Sequence, residues 1–262
     1  MSADVTPDVT SDVAPVALVT GSSSGIGEAI ARRLGLGGHR VVVNSSRSEE
    51  EGRKVAASLP EAVYVRADVA DRAEAEGLVA ATVEQFGRLD VLVNSAGRTR
   101  AIPHQDLAAA DPDVWRSILD LNVIGTWQTT VAAMPHLTAT GRGGGAGTAG
   151  NVVNISSIAG SRTAGSSIPY AVSKAAVEHM TRLLAKAVGP AVRVNAVAPS
   201  LIETPWTAGD PFFEPIAQYV REHAPLRRVG LPDDVAEAVA LLLETGYTTG
   251  QVLYVDGGSH LL

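Results

Sequence analysis

Seven short runs rich in β-branched residues, each separated from the next by a longer stretch, constrain this chain more than any other feature. The runs are Val16–Thr20, Arg40–Asn44, Ala62–Arg66, Leu89–Asn94, Asn151–Ser156, Val192–Val197 and Gln251–Val255. Between them, apolar positions recur at helical spacing in Glu28–Leu36, Ala73–Phe86, Trp115–Met134, Ala171–Val188 and Asp233–Leu243. Strands that alternate with helices return by crossovers rather than hairpins, so neighbouring strands run parallel. Right-handed crossovers then stack helices on both faces of the sheet. The expected class is α/β: a doubly wound, parallel, seven-stranded sheet in a single domain over residues 15–262. Aromatic residues make up 4% of the chain against 45% hydrophobic residues overall, so Ala, Val, Leu and Ile must fill that core. Such a diet suits a sheet buried on both faces.

Residues 1–14 carry Asp4, Asp8 and Asp12 among small and polar residues, with no basic or apolar segment of a secretory signal. They read as a disordered acidic tail. Gly141–Gly150 reads as a flexible surface loop, because strand and helix signals resume on either side. No apolar run approaches transmembrane length, and a soluble chain is expected. The formal charge of −7 argues against broad contact with nucleic acid or anionic membrane. Absence of cysteine excludes disulfides, thiolate metal sites and a cysteine nucleophile, and is compatible with a cytoplasmic home. The six histidines (His39, His104, His136, His179, His223 and His260) show no ligand spacing, so no metal is expected.

The first run leads straight into Gly21-Ser22-Ser23-Ser24-Gly25-Ile26-Gly27 and then a helix. Glycines at such a strand–helix turn allow a pyrophosphate to approach backbone amides at a positive helix end. The spacing departs from G-x-G-x-x-G, and no Gly-Lys-Ser/Thr follows, so this is not a Walker loop. It marks a Rossmann-like dinucleotide site formed by Gly21, Ser23, Ser24, Gly25, Ile26 and Gly27. The second run ends in Asn44-Ser45-Ser46-Arg47, with no carboxylate before Glu49. An acidic residue there would repel a ribose 2′-phosphate, whereas Arg47 and the serines can bind one. NADP(H) is therefore expected over NAD(H); the competing reading makes Arg47 a solvated residue at a helix start. Asp68, followed by Val69, either bonds an adenine amino group or caps the next helix. Asn94, Ala96 and Gly97 close the fourth run at the sheet edge that faces a ligand crevice.

Tyr170 and Lys174 stand at i and i+4, one turn apart on one helix face. A phenol with a pKa of about 10 needs help to exchange protons at neutral pH, and a nearby ammonium favours the phenolate. The same spacing also arises where an aromatic ring simply packs under a lysine stem. Ser156 and Ser157 close the fifth run, where a hydroxyl can donate to a carbonyl oxygen or cap a loop. Asn122 is a polar residue within an apolar helical stretch and calls for a specific partner.

Taken together, TGSSSGIG (20–27), NSAG (94–97), Asn122, NISSIAG (154–160), YAVSK (170–174), RVNAVAPSLIET (193–204), GLPDDVA (230–236) and TGQVLYVDGG (249–258) resemble the short-chain dehydrogenase/reductases from about Pro15 onward. The resemblance implies a tetrad of Asn122, Ser157, Tyr170 and Lys174. Ser157 is preferred to Ser156 because the family's serine lies thirteen positions before the tyrosine. In that scheme Tyr170 delivers a proton to the carbonyl oxygen and Ser157 holds that oxygen. Lys174 lowers the tyrosine pKa and reaches the nicotinamide ribose, while Asn122 anchors a water relay. Pro199, Ser200, Ile202 and Thr204 would border the cofactor, and a homotetramer or dimer is implied. One departure is Pro199-Ser200, where the family has Pro-Gly beside the nicotinamide.

Within the family the chain looks most like 3-oxoacyl carrier-protein reductases. Those enzymes tend to carry a basic docking residue before the sixth strand, and Gly189-Pro190-Ala191 stands there instead. The segment at about 200–225 holds Trp206, Phe212, Phe213 and Tyr219 in an aromatic-poor chain. It reads either as a mobile lid over an apolar or ring-containing substrate, with Ser157, Tyr170, Trp206 and Phe212 as contacts, or as lid and interface packing. The leading expectation is NADPH-dependent reduction of a ketone to a secondary alcohol. An NAD-dependent alcohol or sugar dehydrogenase and a non-catalytic dinucleotide sensor are the alternatives.

Overall fold

The computed structural model describes residues 14–141 and 149–262. The acidic segment read at 1–14 and the glycine-rich loop read at 141–150 thus fall largely outside the described residues. Seven strands, β1 (Val16–Val19), β2 (Arg40–Ser45), β3 (Ala62–Arg66), β4 (Val91–Asn94), β5 (Gly150–Ile155), β6 (Val192–Pro199) and β7 (Val252–Val255), form one sheet. Their order is β3-β2-β1-β4-β5-β6-β7, and every pair is parallel. Order reverses between β1 and β4, and it is there that a crevice opens beyond the strands' carboxyl ends.

The pleat sorts the core into two halves. Ala17, Val19, Val41, Val43, Val153 and Ile155 face α1 (Gly25–Leu36), α2 (Glu49–Ala57) and α8 (Pro232–Glu244). Val16, Leu18, Val42, Leu92, Val152 and Val194 face α3 (Arg72–Phe86), α5 (Thr126–Gly141) and α6 (Ile168–Val188). Two further helices are α4 (Pro112–Leu119), which packs against α6, and α7 (Glu214–His223), which borders the crevice.

Helix starts follow their capping residues. Asp71 accepts from the Glu74 amide, Asp111 from those of Asp113 and Val114, and Ser167 from that of Tyr170. The reading of Trp115–Met134 as one helical pattern needs correction, because a π-helical turn at Asp120–Gly125 interrupts it. The extra residue in that turn brings Asn122 inward, leaving it 1% exposed. Helices α2 and α7 escaped the spacing analysis.

Candidate active site

The crevice is a cleft of about 940 Å³ that runs from the β2–α2 turn, past Tyr170, to Trp206 and Phe212. Its floor at one end is the glycine-rich turn. Gly21 has φ +64°, and a Cβ there would lie 2.7 Å from Ala96 Cα, so only glycine fits. A Cβ at Gly27 would collide with the Gly21 carbonyl, which keeps α1 tight against the strand. Thr20 Oγ1 accepts from the Ser95 and Ala96 amides and fixes the facing wall. In contrast to α3, α4 and α6, helix α1 has no side-chain cap: Ser24 occupies that position without a capping bond. Backbone amides at a positive helix end, bordered by glycine and lacking a side-chain acceptor, suit a pyrophosphate.

At the β2 end, polar side chains divide by task. Asn44 is buried; its amide donates to Val65 O and Ala67 O while its Oδ1 accepts from the Gly21 amide. Ser45 Oγ bonds Ser48 O and Tyr64 Oη. Both line the cleft, yet their polar atoms hold the strand ends together. Ser46 and Arg47 also line it, and Arg47 is exposed, with no ion pair or hydrogen bond among the described residues. Asp68 borders the cleft too, its Oδ1 accepting from the Ala70 amide. Capping of the next helix belongs to Asp71, which corrects that reading of Asp68.

Asn94 requires a second correction, because its side chain does not line the cleft. Its Nδ2 donates to Asn154 Oδ1 at 2.9 Å and to Thr130 Oγ1 at 3.0 Å, and Asn154 Nδ2 donates to Thr181 Oγ1 at 2.9 Å. This buried ladder joins β4 and β5 to α5 and α6. Ala96 and Gly97, by contrast, face the cleft, as do Val69, Pro199, Ser200, Ile202 and Thr204.

Three of the four tetrad positions line the cleft. Lys174 is 6% exposed and its Nζ donates to Ile155 O at 2.8 Å, 5.6 Å from the centroid of the Tyr170 ring. Burial pushes this ammonium down to about 8. Burial also pushes the Tyr170 phenol up to about 12, opposed by hydrogen bonding to Ser157. Lys174 does not draw Tyr170 below its usual value as expected, because desolvation dominates. The Ser157 hydroxyl donates to Pro199 O at 3.4 Å, a long bond that leaves it able to turn toward Tyr170 or a ligand. It also accepts from the Ala159 amide, so the capping role coexists with the site role. Ser156, its neighbour, is turned into the protein and donates to Lys174 O and Glu178 Oε1.

Asn122 lies behind this group. Its Nδ2 donates to Arg98 O and Ser173 Oγ, and its Oδ1 accepts from the Arg98 amide. With both donors engaged, the side chain braces the Gly97–Arg98 backbone and, through Ser173, the turn of α6 that carries Tyr170. The Ser173 hydroxyl completes this by donating to Tyr170 O at 2.7 Å.

Beyond Tyr170 the walls become apolar. Trp206 meets the Tyr170 ring edge-on at 6.3 Å between centroids, and Phe212 packs edge-on with Phe213 at 5.1 Å. Ile216, Tyr219 and Val220, all from α7, also line the cleft. Arg162, Ser259 and Leu262 also border it and were not singled out from sequence, since nothing in local spacing brings them to Ser157.

A switch-point crevice with an uncapped glycine turn at one end and a half-buried Tyr170 beside a buried Lys174 is the framework of a dinucleotide-dependent oxidoreductase. A family model described as enoyl-(acyl carrier protein) reductase matches residues 21–260. A protein of Streptomyces violaceoruber, provisionally assigned as ketoacyl reductase 2 of the granaticin polyketide synthase, is 69% identical over 95% of this chain and 97% of its own. The 3-oxoacyl-[acyl-carrier-protein] reductase of Synechocystis is 36% identical over 95% of this chain and 98% of its own. Among solved structures, the 3-ketoacyl-(acyl-carrier-protein) reductase of Brucella melitensis, complexed with NADH, superposes with a TM-score of 0.84. It is 32% identical and the match covers 94% of this chain and 98% of that one. The chain belongs to the short-chain dehydrogenase/reductase family and is an oxidoreductase acting between alcohol and carbonyl.

Proposed function

We infer that the protein reduces an apolar, ring-containing or 3-oxoacyl-type ketone to a secondary alcohol with NADPH. The observation that carries this reading is the position of Tyr170 and Ser157 where the glycine-turn half of the cleft meets its aromatic half. The glycine turn and the β2 end would hold a nicotinamide dinucleotide along the first half, and its chemistry would be to supply a hydride for the carbonyl carbon. The carbonyl oxygen takes its proton from Tyr170 Oη. A phenol held up to about 12 is fully protonated at neutral pH, the form that a proton donor needs. Ser157 Oγ, released from its long bond to Pro199 O, donates to the same oxygen as charge develops there. Lys174 has three donors and one partner among the described residues, Ile155 O. Its remaining donors suit ribose hydroxyls, and its charge favours the phenolate left after proton transfer. Asn122 acts by position, fixing the backbone on either side of Tyr170.

Support for NADPH comes from Ser46 and Arg47, cleft residues of the β2 end whose side chains have no hydrogen-bond partner among the described residues. Residues 200–225 serve as the lid of a single 15–262 domain. The test is fluorescence titration with NADPH and NADH on wild type and Arg47→Asp, followed by a ketone and acyl-thioester screen. Wild type is expected to bind NADPH at least tenfold more tightly, and Arg47→Asp to reverse that order. Tighter NADH binding by wild type would overturn the NADPH assignment and direct the screen to alcohol and sugar oxidation with NAD.

A further inference from the structure

The Ser259–Leu262 turn lines the cleft, with Ser259 buried and its two leucines reaching solvent. It is a single 3-10 turn, with Leu261 71% and Leu262 44% exposed, so apolar burial contributes little to its position. Polar ties hold it instead. Arg162 donates through Nη1 to Ser259 O and through Nη2 to Leu262 O, the latter at 2.6 Å. Asp256 accepts from the Gly258 and His260 amides and from the His260 ring. Ser200, the residue that replaces the family's glycine, donates to Ser259 Oγ at 3.5 Å. Arg162 lies five positions after Ser157, so its guanidinium ties the turn to the loop that carries the oxygen-binding serine.

We propose that Arg162 is a specificity-determining latch: by holding the Ser259–Leu262 turn against the catalytic loop, it limits how far a fused-ring or long-chain ketone extends past Tyr170. This rests on the carbonyl-reductase reading above. The Asp256 bonds are local to the turn, whereas the two charge-assisted Arg162 bonds tie it to the catalytic loop, and their removal lets its exposed leucine end swing away from that loop. Leu262 shares the cleft wall with Trp206 and Phe212, so opening the turn lengthens the substrate end. The glycine turn and β2 end lie at the opposite end of the cleft, and cofactor affinity is expected to be untouched.

The experiment compares wild type, Arg162→Gln, Arg162→Lys and Leu262→Gly on ketones of one, two and three fused rings, with NADPH. In Arg162→Gln the ratio of kcat/KM for the three-ring to the one-ring ketone is expected to rise about tenfold, mostly through KM, with an unchanged Kd for NADPH. Arg162→Lys keeps one tie and is expected to give a smaller rise. Leu262→Gly lengthens the pocket directly and is expected to raise the ratio without disturbing Arg162. Hydrogen exchange on the NADPH complex reads the latch independently of turnover: amides of residues 257–262 are expected to exchange at least fivefold faster in Arg162→Gln. Unchanged exchange, or an equal change for all three ketones, would overturn the latch. Failure of wild type to reduce any ketone would instead overturn the carbonyl-reductase reading, and exchange would still decide the latch.

Discussion

Lys174 shows how a single side chain sets function against stability. Its ammonium is buried with one carbonyl partner, Ile155 O, and no carboxylate among the described residues. A fall from 10.5 to about 8 corresponds to roughly 3 kcal/mol of penalty on the charged form in the folded state relative to the unfolded chain. Because the folded value lies below the unfolded one, this penalty is fully present below about pH 8 and is relieved as pH rises toward 10.5. Lys174→Met is therefore expected to abolish reduction yet raise the melting temperature by several degrees at pH 7. Scanning fluorimetry from pH 7 to 10 checks this: the gap between variant and wild type should narrow as pH rises. A gap that stays constant would mean the lysine holds its proton equally in the folded and unfolded states, so that burial does not lower its pKa. Reduction by wild type is likewise expected to decline above about pH 8, as the ammonium is lost. The Tyr170–Lys174 spacing was legible in the sequence because one helix turn brings both groups to one face. The upward shift of Tyr170 was not, because desolvation depends on distant segments.

Elements carry the site by being tied at their ends. The Asn94–Asn154 ladder sets β4 against β5 and, through Thr130 and Thr181, seats α5 and α6 beneath the catalytic residues. Asn154→Ala leaves Asn94 Nδ2 and Thr181 Oγ1 each short of a partner in a dry interior. A loss of about 2–4 kcal/mol is expected in urea denaturation, against under 1 kcal/mol for the exposed Glu84→Ala. Equal small losses would show that water or rearrangement satisfies the ladder. From sequence, Asn94 resembled a ligand residue because it ends a strand at the crevice edge; which way its side chain turned depended on β5 and α6. Helix α2 was missed because its face is charged, with Glu49–Arg53 and Glu50–Lys54 pairs and three buried residues. Helix α7 was missed because prolines at 211 and 215 mask its short apolar stripe. The π turn has no periodic signature at all, although the polar Asn122 in an apolar run hinted at a special position.

At the scale of the molecule, Ile124, Trp127 and Val131 stand roughly half exposed at helical spacing along the π turn and α5. An apolar stripe of this kind is expected to be covered by a second copy of the chain. Sedimentation is expected to show a species near four times the 27.0 kDa chain, and Trp127→Glu to shift it to a smaller one. A wild-type monomer would remove that expectation. The architecture itself was written in local terms. Alternating strand and helix periods leave a doubly wound parallel sheet as the economical arrangement, and the glycine turn after the first strand marks its ligand edge. Those features depend on spacing along the chain, which the sequence contains outright. Direction, burial and meeting of distant residues depend on how packed layers exclude water. Only the tertiary structure could turn Asn94 inward, leave α1 uncapped, and bring Arg162 and Leu262 to the cleft.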